Sequence, residues 1–97
     1  MKPSELLKIH RHEILLRFAK RKKLSNLRVF GSVARGEDTE NSDIDFLVST
    51  SPGTTLLDIG GLCADLEDFF GENFDLIEEN ALPAKFREAV LKEAVPL

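Results

Sequence analysis

The chain has no tryptophan, no tyrosine and a single cysteine among its 97 residues. Cys63 has no second thiol to pair with, which excludes an internal disulfide scaffold and fits a reducing, cytoplasmic setting. As a small apolar residue within a helix, it is expected to pack rather than react. No apolar run approaches the ~20 residues that span a bilayer, and Met1-Lys2-Pro3 does not open a signal peptide, so no membrane contact is expected. Internal repeats, low-complexity tracts and interdomain linkers are also missing, and residues 1–97 are expected to form one domain.

What is present is a strong charge asymmetry beneath a net charge of −4. Residues 1–36 carry ten Lys/Arg against Glu5 and Glu13, whereas residues 37–97 carry three against fifteen acids. A basic front half can draw in phosphates, RNA or an acidic partner. The run Lys20-Arg21-Lys22-Lys23 has a plainer reading, as cations at the C-terminal end of a helix dipole. Direct nucleic-acid binding is not expected, because the chain is acidic overall and its basic segment offers no aromatic stacking platform.

Apolar periodicity predicts a helix from a Ser4 N-cap to about Lys23, broken by Ser25-Asn26. A strand over 27–30 follows, then a short helix over 32–35 ended by Gly36. Residues 37–41 are a polar loop, and 43–49 a second strand. After the turn Ser51-Pro52-Gly53, Leu56, Leu57, Leu62, Leu66, Phe69 and Phe70 mark a long helix stopped by Gly71. Gly60-Gly61 within it costs about 1 kcal/mol per glycine relative to alanine, tolerable if helix and sheet approach closely there. A third strand covers 73–78, and Pro83 opens a last helix carrying Phe86, Ala89, Val90 and Val95, some of which can form a partner surface. The strand–helix–strand crossover from Asp43 to Glu78 favours parallel pairing, and the short link between the first two strands antiparallel pairing. The expected fold is α/β (α+β): a mixed sheet of three or more strands with helices packed on one face.

The informative stretch runs from Val29 to Val48. On a strand, Asp43 and Asp45 share one face while Ile44 and Phe46 take the other. Two adjacent carboxylates repel, and a divalent cation is the usual way to neutralise them. The Gly31-Ser32 turn opens a helix, whose free N–H groups and positive dipole end suit phosphate. Gly31 lets backbone approach phosphate closely, and Ser32 adds a hydroxyl. Arg35, one turn on, can reach phosphate or equally pair with Asp38 or Glu40. Asp75, alternating with Phe74 and Leu76, supplies a third acid if its strand lies beside the second. Asp68 and Glu78 are alternatives with weaker strand context. Together these residues point to a metal-bound nucleotide. His10 and His12 sit i, i+2 on a helix, do not share a face, and are expected to be solvated rather than ligands.

Gly31-Ser32-Val33-Ala34-Arg35-Gly36, five residues, then Ser42-Asp43-Ile44-Asp45-Phe46 resembles the nucleotidyltransferase superfamily of DNA polymerase beta. The likeness is closest to the minimal nucleotidyltransferases that pair with HEPN-domain proteins. Phe46, where leucine is commoner, is the one mild departure. The resemblance implies a nucleotidyltransferase fold and two Mg²⁺ ions held by Asp43, Asp45 and Asp75. It also implies phosphate binding by Gly31, Ser32 and Arg35, and deprotonation of the attacking hydroxyl by Asp75. ATP is the implied substrate, and the implied acceptor is a tyrosine of a HEPN RNase toxin, which this chain would silence as an antitoxin. The alternative is a binding module that neutralises the toxin by occlusion without catalysis. A homo-oligomer is compatible with either.

Overall fold

The computed structural model describes residues 1–97, in the order α1 (Pro3–Phe18), β1 (Leu24–Phe30), α2 (Gly31–Arg35), β2 (Ile44–Thr50), α3 (Leu56–Phe70), β3 (Phe74–Glu78), a 3-10 turn (Glu79–Ala81), α4 (Ala84–Glu93) and β4 (Val95–Pro96). The strands form one sheet in the order β3-β2-β1-β4. β1 is antiparallel to both β2 and β4, and β2 is parallel to β3. α3 provides the crossover that a parallel pair requires.

The core follows from strand alternation. Ile44, Phe46 and Val48 are fully buried on one face of β2. They meet Leu24, Leu27 and Val29 of β1, Ile14 of α1, and Leu62, Leu66 and Phe70 of α3. Leu62 and Leu66 are one helical turn apart, with Phe70 a turn further, so a single stripe of α3 covers the sheet. Phe46 lies at the centre, its ring 5.5 Å from that of Phe70 and 6.4 Å from that of Phe74. Burying each such side chain contributes roughly 1.5–3 kcal/mol. The opposite face of β2 carries Asp45 and the fully buried Leu47. There Arg28 Nη2 donates to Ser49 Oγ at 3.0 Å, and Ser49 Oγ in turn donates to Glu79 at 3.0 Å, tying β1 and β2 to the turn after β3.

Several boundaries differ from the sequence reading. α1 is capped at Lys2, with Pro3 in its first turn, and not at Ser4. Proline fits there because its missing N–H is one the helix leaves unpaired anyway. Asp38, from the loop before β2, accepts the Ser4 N–H at 2.9 Å and so caps α1 from a distance. α1 ends at Phe18, well short of Lys23, and β1 begins at Leu24, ahead of 27. Ser25-Asn26 does not separate a helix from a strand but interrupts β1: the register shifts between Ser25 and Arg28, and Asn26 takes a φ of 51°. Asparagine tolerates that left-handed conformation better than most residues, which suits it to a bulge.

The basic run is divided rather than gathered at a helix end. Arg21 pairs with Asp65 at 2.9 Å and donates to the Gly61 carbonyl at 3.1 Å, both on α3. Lys23 donates to the Gly53 carbonyl at 3.2 Å. A Cβ on Gly61 would collide with the Arg21 guanidinium, so this glycine admits an arginine rather than a close sheet. Nothing in the structure explains Gly60. Val95 leaves the last helix and pairs with Val29 as part of β4. His10 is half-buried, its ring 5.0 Å from that of Phe69, and is therefore not simply solvated.

Candidate active site

The parallel register places Asp45 directly beside Asp75, and Ile44 beside Phe74. Asp43 lies one residue before β2 begins, where the sequence reading had started the strand, and thus two residues ahead of Asp45. The antiparallel register sets Phe30 beside Asp45, so the turn that follows Phe30 rises next to the same carboxylate. Three acids and the Gly31-Ser32 turn therefore share one end of the sheet. The two alternatives for the third acid are engaged elsewhere. Asp68 pairs with Arg17 at 2.6 Å, and Glu78 accepts from Thr50 Oγ1 at 3.0 Å.

Gly31 is required on two counts. Its φ of 71° lies in the left-handed region, which glycine enters without a steric penalty. A Cβ there would also strike the Asp45 carboxylate. Gly36 closes α2 at φ 72°, ψ 27° and turns the chain into the loop. The loop then holds itself, with Thr39 N–H donating to Ser42 Oγ at 2.9 Å and Ser42 N–H donating to the Thr39 carbonyl at 3.1 Å.

Asp45 is half-buried, Asp43 and Asp75 exposed. Burial, then the charges of Asp75, Asp43 and Glu93, push the Asp45 carboxyl above the usual carboxylate range, with Arg35 alone opposing them. A raised carboxyl is expected where like charges are held together under partial burial. A divalent cation would relieve it, so the donor set fits Mg²⁺, which prefers carboxylate and phosphate oxygens. No group of three or more His, Cys, Asp or Glu side chains closes on a common point. The strand register nevertheless fixes the backbones of Asp45 and Asp75 side by side.

Arg35 pairs with neither Asp38 nor Glu40. It donates to Glu37 at 2.7 Å and to Glu93 at 2.5 Å. Glu93, the last residue of α4, also accepts the Gly31 N–H at 2.9 Å. These bonds, Arg35 first, hold its carboxyl below the usual range despite partial burial. Glu93 is thus a fourth acid at the site, and sequence reasoning did not single it out. It lies 62 residues from Gly31, so only the folded chain brings it there. The site is an open end of the sheet rather than a cavity. The two concavities of the protein, about 340 Å³ between α1 and β4 and about 460 Å³ along α4, contain none of the four acids.

The family model described as "Nucleotidyltransferase domain" matches residues 11–97. The chain belongs to this nucleotidyltransferase family. Among its relatives, the protein adenylyltransferase MntA of Thermococcus cleftensis is 36% identical over 92 residues, covering 95% of this chain and 89% of that one. A solved structure described as a candidate minimal nucleotidyltransferase superposes with a TM-score of 0.82 at 44% identity, covering 97% of this chain and 95% of that chain. A toxin–antitoxin crystal structure with AMP-PNP shares the fold, with a TM-score of 0.69 at 21% identity over 88% of this chain and 69% of that chain. The minimal nucleotidyltransferase thus has the mixed sheet and helical packing that its sequence resemblance implies. No helix in it is long and apolar enough to cross a membrane.

Proposed function

We propose that this minimal nucleotidyltransferase transfers AMP from ATP to a tyrosine hydroxyl of a partner HEPN-domain toxin, and acts in the cytoplasm as its antitoxin. The observation that carries the proposal is the register of Asp45 beside Asp75, with Asp43 two residues ahead and Gly31 against Asp45. The name of the Thermococcus cleftensis relative, a protein adenylyltransferase, and the shared fold of a toxin–antitoxin protein crystallised with AMP-PNP support the acceptor class and the nucleotide.

In this reading Asp43, Asp45 and Asp75 hold two Mg²⁺ ions, which supply neutralisation of the phosphate charge during an in-line displacement. Ser32 and the N–H groups of the first turn of α2 bind the β- and γ-phosphates, joined by Arg35. Asp75 accepts the proton of the acceptor hydroxyl as its oxygen bonds to the α-phosphorus. The bond from that phosphorus to the bridging oxygen breaks, and pyrophosphate leaves. Chemistry of this kind rests on positioning and charge neutralisation more than on covalent catalysis.

Intact mass of the partner toxin after incubation with this protein, Mg²⁺ and each NTP tests the proposal. The expected result is a gain of one or more AMP units with ATP, absent in Asp43→Ala. A tight complex with no gain in mass would replace transfer by neutralisation through occlusion.

A further inference from the structure

Glu93 holds the two groups of the turn that a triphosphate would claim. Its Oε2 accepts the Gly31 N–H at 2.9 Å, and its Oε1 accepts from Arg35 at 2.5 Å. Its charge also opposes that of Asp45, so it stands within electrostatic reach of the acidic set. A carboxylate offers two anionic oxygens at a spacing close to that of a phosphate group, and charge-assisted bonds to guanidinium and N–H are those phosphate makes. The body of the helix that carries Glu93 is lightly held. α4 has no buried residue, and beyond Glu93 itself its side-chain tether is Arg87, which donates to the Glu79 carbonyl at 2.7 Å. Its C-terminal end, by contrast, is fixed by β4, which begins two residues after Glu93 and pairs with β1, so the Glu93 side chain rather than the helix is what an incoming anion displaces.

We propose that Glu93 is a built-in anion that occupies the phosphate side of the Gly31-Ser32 turn, and that the nucleotide triphosphate must displace it to engage Gly31 and Arg35. The inference rests on the nucleotide-binding reading of the site. Glu93 is a positioning residue: in the free protein it keeps Arg35, which also donates to Glu37, turned toward α4. Whatever draws the Glu93 side chain away from Gly31 and Arg35 favours nucleotide binding, because an anion bound to a minor open state binds more tightly as that state becomes populated.

The test is equilibrium binding of Mg·ATP, Mg·pyrophosphate and adenosine to the wild type, Glu93→Gln and Glu93→Ala, with folding checked by thermal melting. Glutamine can still accept the Gly31 N–H but carries no charge, so its fold is protected even if alanine destabilises α4. Mg·ATP and Mg·pyrophosphate are expected to bind about two- to tenfold more tightly to both variants, the half-exposed ion pair being released in both and the hydrogen bond from Gly31 in Glu93→Ala alone. Adenosine affinity is expected to stay unchanged, a contrast that general loosening of the fold would not produce. Equal or weaker Mg·ATP binding by the variants, or tightening that includes adenosine, would overturn the latch and leave the nucleotide site standing. No binding of Mg·ATP by any of the three proteins would overturn the nucleotide reading and the latch with it.

Discussion

On one side of β2, Ile44, Phe46 and Val48 are enclosed by α1, α3 and the neighbouring strands, while on the other Asp45 stands half-buried beside Asp75 with Asp43 and Glu93 near. Neighbours in sequence thus face opposite physical demands. The enclosed face lowers the free energy of the fold through apolar burial. The acidic end of the other face raises it, because repulsion and partial desolvation act on Asp45 with Arg35 alone opposing them. The pleat lets both coexist, since successive side chains leave a strand in opposite directions. The core face therefore holds the backbone rigid enough to keep mutually repelling carboxylates adjacent, as a site for a metal-bound nucleotide requires.

Substitutions on the two faces should move stability and activity in opposite senses. The largest stability effect is expected from Phe46→Ala. Removing a ring packed between Phe70 and Phe74 should cost about 3–5 kcal/mol, enough to unfold much of a small domain at 37 °C. Chemical denaturation would read it directly, and a loss below ~1 kcal/mol would mean that the site face shares the load. Asp45→Asn, one residue away, should behave conversely. AMP transfer should fall by at least about a hundredfold, on the scale of losing one preorganised electrostatic group. Yet the metal-free protein should melt up to about 5 °C higher, since about 1 kcal/mol shifts a domain of this size by that much. The sign follows from Asp45 itself. Its carboxyl is raised above its ordinary value by burial and by neighbouring acids, so its charged form is less favourable folded than unfolded at neutral pH. A lower melting temperature for Asp45→Asn, measured in chelator, would show that Asp45 supports the fold.

The alternation of Asp43 to Val48, the helical stripe of Leu62, Leu66 and Phe70, and the Gly31-Ser32 turn are local patterns, and the sequence carries each within a few residues. Asp75 is legible because its own strand alternates, although its contact with Asp45 depends on the crossover through α3. What stayed hidden depends on distance along the chain. β4 is two residues long, too short for any periodicity, and is defined only by its pairing with β1. Glu93 reads in sequence as one more charge on a solvated helix end. Its role appears only when α4 returns to the turn. Arg21 and Gly61 form a similar pair: a cation in a basic run and a costly helical glycine explain each other, 40 residues apart. Asn26 has a local signal, since asparagine favours left-handed backbone, but that signal suits a loop as well as a bulge.

A further contrast lies between the three site aspartates and Asp38, which the fold buries with partners. Asp38, 7% exposed, is the buried charged residue of the protein. Burial opposes its charge, but the N–H and hydroxyl of Ser4, its own N–H and the nearby Lys2 outweigh it and hold the carboxyl below the usual range. By capping α1 across 34 residues, it fixes the first helix to the loop that carries the chain from Gly36 into Asp43. Asp38→Ala should cost about 0.5–2 kcal/mol, the usual range for a lost N-cap. Because the folded carboxyl is depressed, its contribution is complete above the unfolded value of about 3.9. It disappears as pH falls through the lower, folded value. The difference in unfolding free energy between wild type and Asp38→Ala should therefore be flat from pH 7 to about 5 and shrink as acid is added below about 4. A difference that instead grew on acidification would mean that the neutral carboxyl, rather than its charge, secures α1. The cap would then be a hydrogen bond between neutral groups, and the one buried acid would have no electrostatic advantage over the three aspartates at the site.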